Sequence, residues 1–246
     1  MSDTRTVTPE ALYFELGSLA AEMPDLATGA ITSEKKDWIE RAAGLLHLTG
    51  GLAEKIRFTT AVENLYGALQ ARNAETITAI VQNALIKAES EAPAWLQGTF
   101  LIAGNTSEAF AAVRAVLATA QRDVLLVDGD ADGRTLTDCA VLAPDRVLVR
   151  LLAEQAERTA LLSSAARHWA ERFGEARPLA VRLAAAGTIH DKLIVVDRAT
   201  AWAAAQPFNM LARRARTSLV RIPPQAAARM IAAHAAMWKA AEPLPG

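Results

Sequence analysis

The 246-residue chain has a single cysteine, Cys139, so it can close no internal disulfide and is not a small secreted scaffold held by such bonds. A reducing compartment is the expected setting, and a four-thiolate zinc site is excluded. Long apolar runs are missing too: none approaches the roughly 20 residues a bilayer span requires. The opening stretch MSDTRTVTPEAL lacks the apolar core of a signal peptide, which makes the cytoplasm the expected address and stable membrane insertion unexpected. The first 95 or so residues show neither a repeat period nor a metal-ligand spacing, and no metal or cofactor is expected.

Net charge is nearly absent, at -1, but the balance is uneven. Residues 1–100 carry 8 Lys and Arg against 13 Asp and Glu, whereas residues 101–246 carry 18 against 14. The basic surplus comes after Asp197, where Arg198, Arg213, Arg214, Arg216, Arg221, Arg229 and Lys239 face only Glu242. Such a stretch suits an anionic partner without by itself identifying nucleic acid. With 52% hydrophobic and 22% charged residues the chain is globular, long enough for one large domain or two modest ones.

Residues 1–96 read as an all-helical domain. Apolar side chains recur at helical spacing in Leu12, Leu16 and Leu19, in Trp38, Ala42, Leu45 and Leu46, and in Ile77, Ile80, Val81 and Leu85. Thr8-Pro9-Glu10 is a helix start, Pro24 closes the first helix, Gly50-Gly51 separates the second from a third over 52–70, and Ala92-Pro93 ends a fourth. From about residue 97 the pattern changes to an α/β one, a central sheet flanked by helices. Short apolar runs at 99–103, 124–127, 147–152, 179–183, 189–196 and 218–222 alternate with helical stretches near 107–121, 133–141, 158–173 and 224–241.

The strongest local feature is Thr188-Ile189-His190-Asp191-Lys192-Leu193-Ile194-Val195-Val196-Asp197. The β-branched run predicts a strand, in which residues i and i+2 share a face about 7 Å apart. His190 and Lys192 then stand side by side. An imidazole next to an ammonium suits phosphoryl chemistry, since one attacks phosphorus or moves a proton while the other stabilises charge on the non-bridging oxygens. Asp197, seven residues after His190, falls on the opposite face of an unbroken strand and reads as a structural or orienting group.

His190, Lys192 and Asp197 fit His-x-Lys-x-x-x-x-Asp, and residues 98–222 resemble a single-motif domain of the phospholipase D superfamily: a strand and helix, a strand ending in Val127-Asp128, further strands, the motif, and a hairpin strand with Trp202. The resemblance implies a phospholipase D-like mixed sheet over residues 97–246 and a phosphodiesterase working as a homodimer. In it His190 of one copy attacks the phosphodiester, that of the other protonates the leaving oxygen, Lys192 from each holds the phosphate, and His190, Lys192 and Asp197 form the catalytic set. Several single-motif relatives are bacterial nucleases, so nucleic acid or another phosphodiester is the implied substrate. A phospholipid-acting hydrolase or transferase is the further alternative within the family.

Two departures weigh toward a non-catalytic binding or scaffold protein. Where the family carries Gly-Ser-x-Asn for phosphate, this chain has Ala204-Ala205-Gln206-Pro207, leaving Gln206 and Asn209 as substitutes. No carboxylate stands in Arg216-Thr217-Ser218-Leu219 to orient the histidine, and Asp128, at the end of an earlier strand, is the candidate for that role. Arg213 and Arg214 are candidates for lining a groove for a polyanion. Asp128-Gly129-Asp130-Ala131-Asp132-Gly133 opens like a calcium loop, but Cys139 holds the position that needs a glutamate, so it reads as a polar turn. His47, His168 and His234 have no spaced partners and read as packed or surface residues.

Overall fold

The computed structural model describes residues 8–49, 51–94, 96–212 and 217–245. The chain forms two compact units, Met1–Gly98 and Thr99–Gly246. No helix among the described residues is long and apolar enough to cross a membrane.

The first unit contains α1 (Pro9–Ala21), α2 (Ser33–Thr49), α3 (Leu52–Glu63) and α4 (Gln70–Glu91). Thr8 caps α1, its hydroxyl accepting from the Ala11 amide at 3.2 Å, and Pro9 opens the helix, where its missing N–H costs nothing. Leu12, Leu16 and Leu19 of α1 are buried, as are Ile77, Ile80, Val81 and Leu85 of α4. Each such side chain contributes about 1.5–3 kcal/mol when taken fully out of water. Trp38 is buried with its indole N–H donating to the Leu19 carbonyl at 2.8 Å. The third helix stops at Glu63, short of the expected residue 70. Asn64 ends it by donating its side-chain amide to the Thr60 carbonyl at 2.8 Å, and Gly67 then turns the chain at φ +63°.

The second unit contains β1 (Phe100–Ala103), α5 (Thr106–Leu117), β2 (Asp123–Asp128), β3 (Leu148–Glu154), α6 (Thr159–Phe173), β4 (Leu179–Ala184), β5 (Lys192–Val196), β6 (Thr200–Ala204), β7 (Thr217–Arg221), α7 (Pro224–Ala240) and β8 (Glu242–Pro243). They build one mixed sheet in the order β1-β7-β6-β5-β2-β3-β4-β8, with β2, β3 and β4 parallel and β5 antiparallel to β2. Alternate residues of β2 and β5 serve two cores. Val124, Leu126, Ile194 and Val196 pack with α5 and α6, while Leu125, Val127, Leu193 and Val195 pack with α7. Burial on both faces explains why these strands read as unbroken apolar runs. The stretch expected to be helical at 133–141 is instead a wide turn over Thr135–Cys139 followed by a 3-10 turn over Ala140–Leu142.

Candidate active site

The parallel strands end together at Asp128, Glu154 and Ala184, and β5 begins beside them, because Asp128 pairs with Lys192 in the ladder. Asp128 has the parity of Leu126, and Lys192 that of Ile194, so this directly opposed pair shares one face of the sheet.

The strand expected from residue 189 starts only at Lys192. Gly187 and Ile189 give their amides to the Glu154 carboxylate and not to a neighbouring strand, which holds the approach to β5 as a loop. His190 lies in this loop and is exposed, while Lys192 is half-buried as the first strand residue. The two are thus held by different means, His190 by a pinned loop and Lys192 by the ladder. Gly129 runs directly beneath: a Cβ there would lie 2.9 Å from the Ile189 carbonyl oxygen and 3.2 Å from the Glu154 carboxyl carbon.

Asp128 is fully buried and accepts from the amides of Phe208 at 2.8 Å and Asp130 at 2.9 Å. Burial pushes its pKa up, against those two amides and the nearby Lys192 ammonium. Burial also disfavours the Glu154 anion, but the amides of Ile189, Gly187 and Thr188 together with His190 outweigh it and hold its pKa down. Electrostatic contact with His190 therefore belongs to Glu154, whereas the carboxylate of Asp128, the expected orienting acid, is held by amides and faces Lys192. Sequence reasoning missed Glu154, which ends an ordinary apolar strand. Its one signal was an acid at the close of a parallel strand, where α/β sites gather.

Asp197 lies at the other end of β5. It opens the three-residue β5–β6 turn Asp197-Arg198-Ala199, with Asp197 and Arg198 both at positive φ (51° and 57°) and the Ala199 amide donating to the Val196 carbonyl at 3.0 Å. Its carboxylate accepts from the amides of Gln121, Arg122 and Asp123 at 2.8–2.9 Å and so clamps the start of β2. The five-residue β5 begins at Lys192 and ends one residue before Asp197, so the signature spans both ends of the strand.

Asn209 is buried and donates its side-chain amide to the Asp130 carbonyl at 2.7 Å and to Asp132 at 3.2 Å, while its own carbonyl oxygen finds no partner among the described residues. Gln206 is half-buried in the segment after β6. Arg213 and Arg214 lie outside the described residues. Asp128 and Asp132 accept the amides of Asp130 and Arg134, two residues on, in a pair of local turns within the acidic loop. His234, expected to be a packed or surface residue with no spaced partner, is buried on α7 with Nδ1 on the Met230 carbonyl at 2.8 Å and Nε2 3.3 Å from Asp191, the residue between His190 and Lys192.

Among solved structures, the chain is similar to Nuc from Salmonella typhimurium, a phospholipase D family member, at 14% identity and a TM-score of 0.44, covering 60% of this chain and 98% of that one. It is also similar to NucT from Helicobacter pylori (9% identity, TM-score 0.40, 56% of this chain and 92% of that one). A third likeness is to TrmBL2, an archaeal chromatin protein, at 16% identity and a TM-score of 0.42, over 83% of this chain and 99% of that one. No family model matches the sequence, and no curated protein matches it.

Proposed function

We propose that the second unit is a metal-free phosphodiesterase of the phospholipase D type, acting on nucleic acid, in which two copies of the chain bring their His190 side chains to one phosphate. The observation that carries this reading is an exposed imidazole on a loop pinned by Glu154, two residues from a half-buried ammonium opposite Asp128. The imidazole of one copy attacks phosphorus. As the P–O bond to the leaving alcohol breaks, the imidazolium of the other copy gives that oxygen its proton. Water, losing a proton to the second imidazole, then attacks the phosphohistidine; its P–N bond breaks, the phosphomonoester leaves and the first imidazole is restored. Lys192 from each copy faces the charge on the non-bridging oxygens. Asp197 acts at a distance, by fixing the far end of the strand.

The test uses the full chain in EDTA with bis(p-nitrophenyl) phosphate, single-stranded DNA and RNA. Hydrolysis is expected, reduced at least about 100-fold by His190→Ala, and the rate per chain is expected to fall on dilution. A His190→Ala protein as active as the parent removes the mechanism.

A second reading, an anion-binding protein without catalysis, is favoured by one specific feature: both Asn209 amide hydrogens are engaged with Asp130 and Asp132, and Ala204, Ala205 and Pro207 offer no side-chain donor. Retention of DNA binding with no turnover in either protein selects it.

A further inference from the structure

A cavity of about 430 Å³ lies between α7 and the sheet, at the ends of β2, β3 and β5 opposite to His190. Its volume is within the range of small-molecule sites. Leu125, Leu148, Val195, Ile231 and Ala235 make much of its wall apolar, yet Arg150, Arg182, Arg198 and Lys239 line it as well. A cavity needed only for packing would not gather four cations.

One carboxylate serves two of them. Asp123, beside the cavity, meets Arg150 Nη2 at 2.7 Å and Arg198 Nε at 3.1 Å. Arg182 is turned to the end of α7, with Nη1 on the Trp238 carbonyl at 2.9 Å, and Lys239 makes no ion pair among the described residues. The Trp238 ring carries two guanidiniums, Arg150 at 5.4 Å and Arg182 at 5.3 Å from its centroid. Arg150 is buried, and its Nε is without a partner among the described residues. Burial lowers its pKa, with a smaller push the same way from Arg198, against the opposing pull of Asp123.

We infer that this cavity binds a small organic anion, its carboxylate or phosphate head between Arg198 and Lys239 at the mouth and its apolar body against Ile231, Val195 and Trp238. An anion would offset the unbalanced cations, and the walls between them would shield an aliphatic or aromatic chain from water. The inference is independent of the chemistry proposed for His190, because the two sites occupy opposite ends of the strands.

The test is calorimetric titration of the full chain with hexyl phosphate, hexanoate and hexanol. At least one of the two anions is expected to bind, and the stronger of them identifies the head group, whereas hexanol gives no saturable heat. Lys239→Ala with Arg198→Asn, both at exposed positions, is expected to weaken the anion roughly tenfold or more while leaving phosphodiester turnover at the parent rate. His190→Ala is expected to bind the probe as the parent does. The site is refuted if hexanol binds as well as the anions, if the double variant binds undiminished, if His190→Ala abolishes binding, or if no anion binds in the millimolar range.

Discussion

The two ends of β2 and β5 handle carboxylates differently, and the difference separates the end proposed to react from a holding end. Beside His190, Asp128 and Glu154 are satisfied by backbone amides from Phe208, Asp130, Gly187 and Ile189. That leaves Lys192 without an ion pair among the described residues. At the other end Asp123 is satisfied by the guanidiniums of Arg150 and Arg198, and those cations are committed in return. Amides neutralise a carboxylate without consuming side-chain charge; guanidiniums do so by spending theirs. At the first end the charge of Lys192 is thereby kept for an anion; at the second it is Lys239, outside the Asp123 pairs, that keeps its own.

The comparison breaks most visibly at Asp123. Asp123→Ala strands the buried Arg150 guanidinium, and urea unfolding is expected to show a loss of about 3–5 kcal/mol. A loss under 1 kcal/mol would mean the holding end is not held by charge. At the other end, Gly129→Ala drives a Cβ against the Ile189 carbonyl, at a cost of about 1–3 kcal/mol, and turnover should fall further than stability explains because the His190 loop is displaced. Full activity there would detach the loop from the chemistry.

Asp197 tests whether amides alone suffice at the holding end. Burial is the largest single influence and raises its pKa, but the amides of Asp123, Gln121 and Arg122, with the Arg122 charge, together outweigh it and lower the folded value below 3.8. A depressed folded pKa gives stability that is complete above the unfolded value and is lost as pH falls through the folded one. The difference between the parent and Asp197→Asn is therefore expected to be about 1 kcal/mol at pH 7 and to close as pH drops below 3.8. A pH-independent difference would point to the turn and not the charge. The smallest effect belongs to Arg198→Asn, which keeps a residue suited to positive φ and removes an exposed partner of Asp123: under about 1 kcal/mol in the same unfolding assay. A loss as large as that of Asp123→Ala would show that Arg198, not Arg150, is the necessary partner.

Much of the second unit was readable from local pattern. The strands observed at Asp123–Asp128, Leu148–Glu154, Leu179–Ala184 and Thr217–Arg221 lie within two residues of the apolar runs that announced them. The Thr8-Pro9 start of α1 was equally plain. The start of β5 was misread because Ile189 looks like a strand residue, and only a carboxylate 35 positions away in sequence takes its amide. Glu154 itself and the pairing of Asp191 with His234 carried no local signal, since each acts through a partner brought near by the sheet or by α7.

The sequence by itself determined most of the helices and strands and that His190, Lys192 and Asp197 share one short stretch, because backbone preference and apolar periodicity act over a few residues. Tertiary structure alone decided that Asp197 clamps the start of β2 through three amides, that Glu154 pins the histidine loop, and that four cations from β3, β4, α7 and the β5–β6 turn line one cavity. Those outcomes depend on which strand ends meet, and strand order is set by the packing of the whole sheet between its two helical layers.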